Sequence, residues 1–153
     1  MPVSHDEIIL KNYPSRCGER QSTIVSKDQD HRWKHVGYND SKGRVRHYKI
    51  DGEVLPKNKK PDRCDFLLLT DDTTPPTAYF IELKGSLADA EKCIEQVENT
   101  ERMCKNSIKN YRVLYRFVFG TGHGGYSSGF IKWRDKQPKG KVLAQRNVVE
   151  DHF

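Results

Sequence analysis

The stretch that most constrains this chain is residues 78–84, AYFIELK, followed by Gly85. Tyr79, Phe80, Ile81 and Leu83 are strand formers with no polar alternation among them, which predicts a strand buried on both faces. Two charges, Glu82 and Lys84, are nevertheless embedded in its end. Charges in such a place are costly unless they are paired or bound to a metal. Strand side chains alternate between faces, so Glu82 and Lys84 share one face, roughly 7 Å apart along the chain. Tyr79, Ile81 and Leu83 take the other face. A carboxylate and an ammonium are thereby held side by side at the end of a rigid strand.

A second apolar run lies just upstream, residues 63–70 (RCDFLLLT), with one acid, Asp65, near its start. Between the runs comes DDTTPPT at 71–77, which is turn chemistry. Two strands joined by so short a loop predict an antiparallel hairpin. Asp65 and Glu82 then converge. Two carboxylates and a lysine make a candidate Mg²⁺ site with a phosphate-facing cation.

These residues resemble the PD-(D/E)xK nuclease superfamily. The likeness is carried by Asp65 and then, after the turn, by Glu82-Leu83-Lys84; Pro61-Asp62 supplies a literal PD offset by three residues. It spans roughly residues 61–96 of the 153. The resemblance implies an α/β fold, a restriction-endonuclease-like core with a central mixed sheet flanked by helices. It implies hydrolysis of phosphodiester bonds with Mg²⁺ or Mn²⁺ as cofactor. Asp65, Glu82 and Lys84 become the catalytic set, with Asp65, Glu82 and the Leu83 carbonyl as metal ligands. A helix ahead of the sheet often supplies another acid in that superfamily, and Glu19 is the best-placed candidate, against an exposed surface glutamate. In some branches a glutamine on the helix after E-x-K lies near the site, which points to Gln96. The pattern there continues with a tyrosine, whereas residue 100 is Thr100, so an exposed Gln96 is favoured. Small enzymes of that superfamily often act as homodimers. A second reading is a non-catalytic nucleic-acid- or protein-binding module on the same fold, with Glu82 and Lys84 an ion pair capping a strand end.

Length bounds the rest: 153 residues suit one domain, 1–153, with room for a core. The net charge of +6, from 27 basic and 21 acidic residues, favours a polyanionic partner. Joined to a candidate metal site, it points to nucleic acid, with DNA expected over RNA. No apolar run reaches the length of a membrane span, and MPVSHDE at the start shows no secretory pattern. Cys17, Cys64, Cys93 and Cys104 form no C-x-x-C pair, so they are expected as free thiols in a reducing compartment rather than zinc ligands. Together these predict a cytoplasmic protein.

In chain order, residues 6–11 predict a short helix or extended arm stopped by Pro14. Residues 15–26 stay open between a helix, with Glu19 near its start, and irregular chain, because Gly18 weakens the helix. HRWKHVGY at 31–38 and RVRHYKI at 44–50 flank the turn NDSKG and predict a β-hairpin. Its wet basic face carries Arg44, Arg46, Lys34 and His35. Lys57, Lys59 and Lys60 lead into the Asp65 strand and are expected to neutralise phosphates, against a merely solvated loop. Residues 86–108 predict the clearest helix, with Ser86 as cap, Asp89 three residues on, and a stripe of Leu87, Ala90, Ile94, Val97 and Cys104. YRVLYRFVF at 111–119 predicts a central strand, and strand–helix–strand after Glu82 predicts a crossover onto the same sheet. The glycine-rich loop at 120–129 lacks the Lys-Ser/Thr of a P-loop. Its His123 is an accessory candidate, against a flexible connector. Residues 130–133 and 141–145 predict edge or terminal strands.

Overall fold

Strands dominate the architecture of the computed structural model, which describes residues 7–57, 61–120 and 124–153. The described residues form eight strands: β1 (Thr23–Lys27), β2 (Lys34–Tyr38), β3 (Val45–Lys49), β4 (Phe66–Thr70), β5 (Thr77–Lys84), β6 (Arg112–Phe119), β7 (Val142–Arg146) and β8 (Val148–His152). Helix α1 (Ala90–Met103) joins β5 to β6, and α2 (Ser128–Asp135) joins β6 to β7. Strands β3-β4-β5-β6-β7 make one mixed sheet, and β1-β2-β8 make a second. Among the described residues no helix is long and apolar enough to cross a membrane.

Residues 78–84 behave as their composition demands. Strand β5 lies at the centre of the large sheet, buried from Thr77 to Leu83, and only Lys84 emerges. It pairs antiparallel with β4 across the short 71–76 turn and parallel with β6. A parallel neighbour needs a crossover, and α1 supplies it. Phe80 is fully buried, so Phe80→Ala would cost about 3–5 kcal/mol.

The two faces of the sheet are covered differently. On one, Leu67, Leu69, Phe80, Phe117 and Phe119 pack with Ala90, Cys93 and Val97 of α1 and Phe130 of α2. On the other, Phe66, Leu68, Tyr79, Ile81, Leu83 and Val118 pack with Ile24 of β1 and Val149 of β8. Among the described residues, α1 and α2 therefore flank one face, and the small sheet covers the second. Gly37 lets the sheets meet: a Cβ there would sit 2.8 Å from Leu68 Cδ2.

Several expectations are corrected. Residues 31–38 and 44–50 do not form a hairpin. Both edges of β2 are occupied, by β1 antiparallel and β8 parallel, so β3 joins the large sheet instead. His35 is buried rather than wet, and its Nε2 lies 2.8 Å from Asp151 Oδ2. Arg116 of β6 donates to the same carboxylate, which ties the two sheets together. Residues 15–22 are irregular and lead into β1, not a helix. Residues 130–133 lie in α2, whose N-cap Ser127 accepts from the Phe130 N–H. Helix α1 is shorter than expected: Ser86 caps a 3₁₀ turn at Leu87–Asp89, and the α-helix runs only to Met103. At the start of the chain a 3₁₀ turn, Leu10–Asn12, stands where residues 6–11 predicted a helix or arm. The expected strands at 111–119 and 141–145 are present as β6 and β7.

Candidate active site

Asp65 and Glu82 meet because of register. Strands β4 and β5 pair Phe66 with Ile81, so one step further Asp65 stands opposite Glu82. Both belong to the face that carries Leu67 and Phe80, the helix side. Asp65 Oδ2 accepts the Leu83 N–H at 2.9 Å, and Glu82 Oε1 accepts the same N–H at 3.2 Å. Two carboxylates thus converge on one donor.

Glu82 is 2 % exposed, and its Oε2 is buried with no hydrogen-bond partner. Burial pushes its carboxyl well above the usual carboxylate range, and the neighbouring Asp65 pushes it further. Lys84, half-buried at the strand end, pulls the other way without reversing the shift. Burial also raises the Asp65 carboxyl, helped by Asp28 and Asp51 and opposed by the Glu82 and Leu83 hydrogen bonds. Like charges sharing a small site disfavour each other, which is how Asp65 adds to the Glu82 shift. In an extended strand a residue's N–H and C=O point the same way. The Leu83 carbonyl therefore also faces the Asp65 side.

Asp65 opens onto a cavity of about 250 Å³, also lined by Asp28, His31, Lys49, Asp51 and Lys57. Asp51 is ion-paired to Arg63 at 3.1 Å. Lys57 thus reaches the site, as its place ahead of Asp65 suggested. Lys49 reaches it as well, and sequence reasoning missed it. Its pairing with Phe66, next to Asp65, was the signal, but it depends on knowing that β3 borders β4. Lys59, Lys60 and His123 lie outside the described residues.

The remaining candidates are not brought to this place. Glu19 is exposed, and its carbonyl accepts from Val45 N at the far end of β3. The Asp65 carbonyl accepts from Ile50 N, five residues away and so about 16 Å along the strand. Arg44 and Arg46 sit at that far end too. Arg44 binds Asp72 through Nε at 3.0 Å and Nη2 at 2.7 Å. Arg46 binds Asp71 through both Nε and Nη2 at 2.8 Å. The acidic turn that joins β4 to β5 consumes both guanidinium groups, so neither offers a free fork to phosphate.

Gln96 is half-buried rather than exposed. Its Nε2 donates to the Arg63 carbonyl at 3.4 Å, and its Oε1 is buried without a partner. Asn99 Nδ2 donates to the Asp62 carbonyl, and Thr100 Oγ1 accepts the Cys64 N–H at 2.8 Å. These three side chains of α1 fasten the segment that delivers Asp65. Thr100, where the resembled pattern has tyrosine, holds the backbone one residue before Asp65. Cys64, Cys93 and Cys104 are buried free thiols, and Cys17 is half-buried.

Among the described residues no group of three or more His, Cys, Asp or Glu stands ready to hold a metal ion. No family model, curated protein or solved structure matches this chain.

Proposed function

We propose that this chain is a metal-dependent nuclease that hydrolyses phosphodiester bonds, with Asp65, Glu82 and Lys84 as its catalytic set. The observation that carries the reading is the buried Glu82 Oε2, which lacks a partner while its neighbour Asp65 shares the same backbone donor. A native fold rarely leaves such an acceptor unsatisfied without a reason. A divalent cation fits it. Mg²⁺ or Mn²⁺ takes oxygen donors, and two carboxylates with the Leu83 carbonyl are a donor set of that kind. When bound, the ion supplies Lewis-acid polarisation of a phosphate and a lowered pKa for water.

The chain's own residues supply the rest. Asp65 and Glu82 are fixed by strand register and by the Leu83 N–H, so little reorganisation precedes reaction. Lys84 sits on the Glu82 face at the strand end, placed to orient a water and to offset charge that develops on the phosphorane. Lys49 and Lys57 offer cations to the phosphates on either side of the cut. The sheet supports the restriction-endonuclease-like reading in its central part, an antiparallel hairpin followed by a helix and a parallel strand. DNA is the expected polymer, and a homodimer the expected assembly. The test is a panel of plasmid, linear and single-stranded substrates incubated with and without Mg²⁺ or Mn²⁺. Cutting that stops on chelation is expected; no cutting of any substrate in either metal overturns the reading.

A second reading has an observation in its favour. Two carboxylates that converge on one backbone donor, one of them 2 % exposed, with no metal-ready group of three or more His, Cys, Asp or Glu among the described residues, also suit a binding module that does not cut. Nucleic-acid binding with no cleavage in either metal is its signature.

A further inference from the structure

A ring stack stands beside the candidate site. His31 and Trp33 lie face to face, with centroids 4.4 Å apart and planes 13° from parallel. Trp33 is bedded on the ends of the two central strands. A Cβ at Gly120, just after β6, would sit 2.6 Å from its Cζ3, and one at Gly85, next to Lys84, would be 3.8 Å from its Cζ2. Only glycine at 120 admits the indole this closely. The Gly120 N–H in turn donates to the Lys84 carbonyl at 2.8 Å, which locks the bed to the strand that carries the catalytic lysine. Trp33 is half-buried, while His31 is exposed and lines the same cavity as Asp65, Lys49 and Lys57.

We propose that the outer face of His31 is a stacking platform for one unpaired nucleobase, and that the substrate is single-stranded or locally unpaired nucleic acid. This rests on the nuclease reading above. His31 closes one side of the cavity that Asp65, Lys49 and Lys57 also line, so a phosphate beside those lysines brings its base to the rim, where the imidazole presents a flat, supported face. Stacking on aromatic rings tolerates any base and is the usual device of proteins that hold single strands. In a duplex both faces of each base are already stacked, so reaching His31 would mean pulling the base out of the helix. The paired acids, the two lysines and the supported ring stack together select a strand whose bases are free to turn outward.

The experiment measures binding separately from cutting. A fluorescein-labelled single-stranded DNA 12-mer, its duplex and the same strand with abasic residues throughout are titrated in chelator, with anisotropy as readout. The parent is expected to bind the single strand about tenfold more tightly than the abasic strand, and more tightly than the duplex. His31→Ala, an exposed position, is expected to melt like the parent and lose that tenfold, while binding the abasic strand as the parent does. His31→Phe is expected to restore it. Equal affinity of parent and His31→Ala for the single strand overturns the platform, as does a parent that prefers duplex. Metal-dependent cutting is scored on its own. Cutting without a His31 effect removes the platform and leaves the nuclease; a His31 effect without cutting removes the nuclease and leaves the platform.

Discussion

The two ends of the β4–β5 hairpin carry the same kinds of charge and treat them in opposite ways. At the turn end, Asp71 and Asp72 are each clasped by an arginine, Arg46 and Arg44. At the open end, Asp65 and Glu82 press against each other, and Glu82 keeps a buried oxygen without a partner. The turn end lowers both of its carboxyls below the usual range, with Asp72 pulled down to about 2 by the Arg44 hydrogen bonds. The open end raises both of its own. Charges at the turn end arrive with their partners, whereas those at the open end lack one, and perturbed carboxyls of this kind concentrate at functional sites.

The largest expected effect separates the ends by activity. Lys84→Ala should fold and bind nucleic acid as the parent does but cut orders of magnitude more slowly, because it removes a contact made in the transition state. Arg46→Ala at the turn end should leave the cutting rate within a few-fold. A Lys84→Ala protein that cuts at the parental rate would break the comparison.

Stability should separate them next. Asp65→Asn relieves like-charge repulsion and should leave the metal-free protein as stable as the parent or more so. Mg²⁺ is expected to raise the melting temperature of the parent and not that of Asp65→Asn. Asp71→Asn should instead destabilise by about 1 kcal/mol, discounted for the partial exposure of Arg46, and keep the Mg²⁺ response. Equal Mg²⁺ shifts in the parent and Asp65→Asn would take Asp65 out of the metal site.

The pH dependence has opposite signs at the two ends. A raised folded pKa means the native state keeps a proton that the unfolded chain has released. The stability from Asp65 and Glu82 is therefore complete below their unfolded values of 3.8 and 4.5, and is lost as pH rises through the folded ones. For Asp71 and Asp72 the contribution is present above 3.8 and is lost as pH falls, for Asp72 through about 2. Melting of the metal-free protein should thus weaken as pH climbs above 4.5, and Glu82→Gln should flatten that limb. An unchanged limb in Glu82→Gln would show that the pair does not titrate as described.

Salt dependence should give the smallest difference. Lys57→Ala should reduce the log–log salt slope of nucleic-acid binding by about one unit, since each phosphate contact releases counterions. Arg44→Ala should not change the slope, because Asp72 already holds that guanidinium. If both lower it equally, phosphates reach both ends of the sheet.

Much of the open end was legible in the chain itself. An apolar run with charges only at positions 82 and 84 determines a buried strand with both charges on one face, because strand parity is a local property. A short acidic, proline-containing turn behind Asp65 determines a hairpin, and the hairpin brings Asp65 to Glu82. The period of α1 and the length of the 111–119 run were equally local. Pairing partners were not. Whether β2 lies beside β3 or beside β8 depends on segments more than a hundred residues apart, and nothing in residues 31–50 names that neighbour. The error carried over to the charges. Arg44 and Arg46 read as a free basic face until the fold set them against Asp71 and Asp72, while Lys49 and His31 gained a site only when β3 and the loop before β2 closed around Asp65. Local sequence decides which residues are extended and which way they face; long-range packing decides which charges meet, because their partners come from distant parts of the chain.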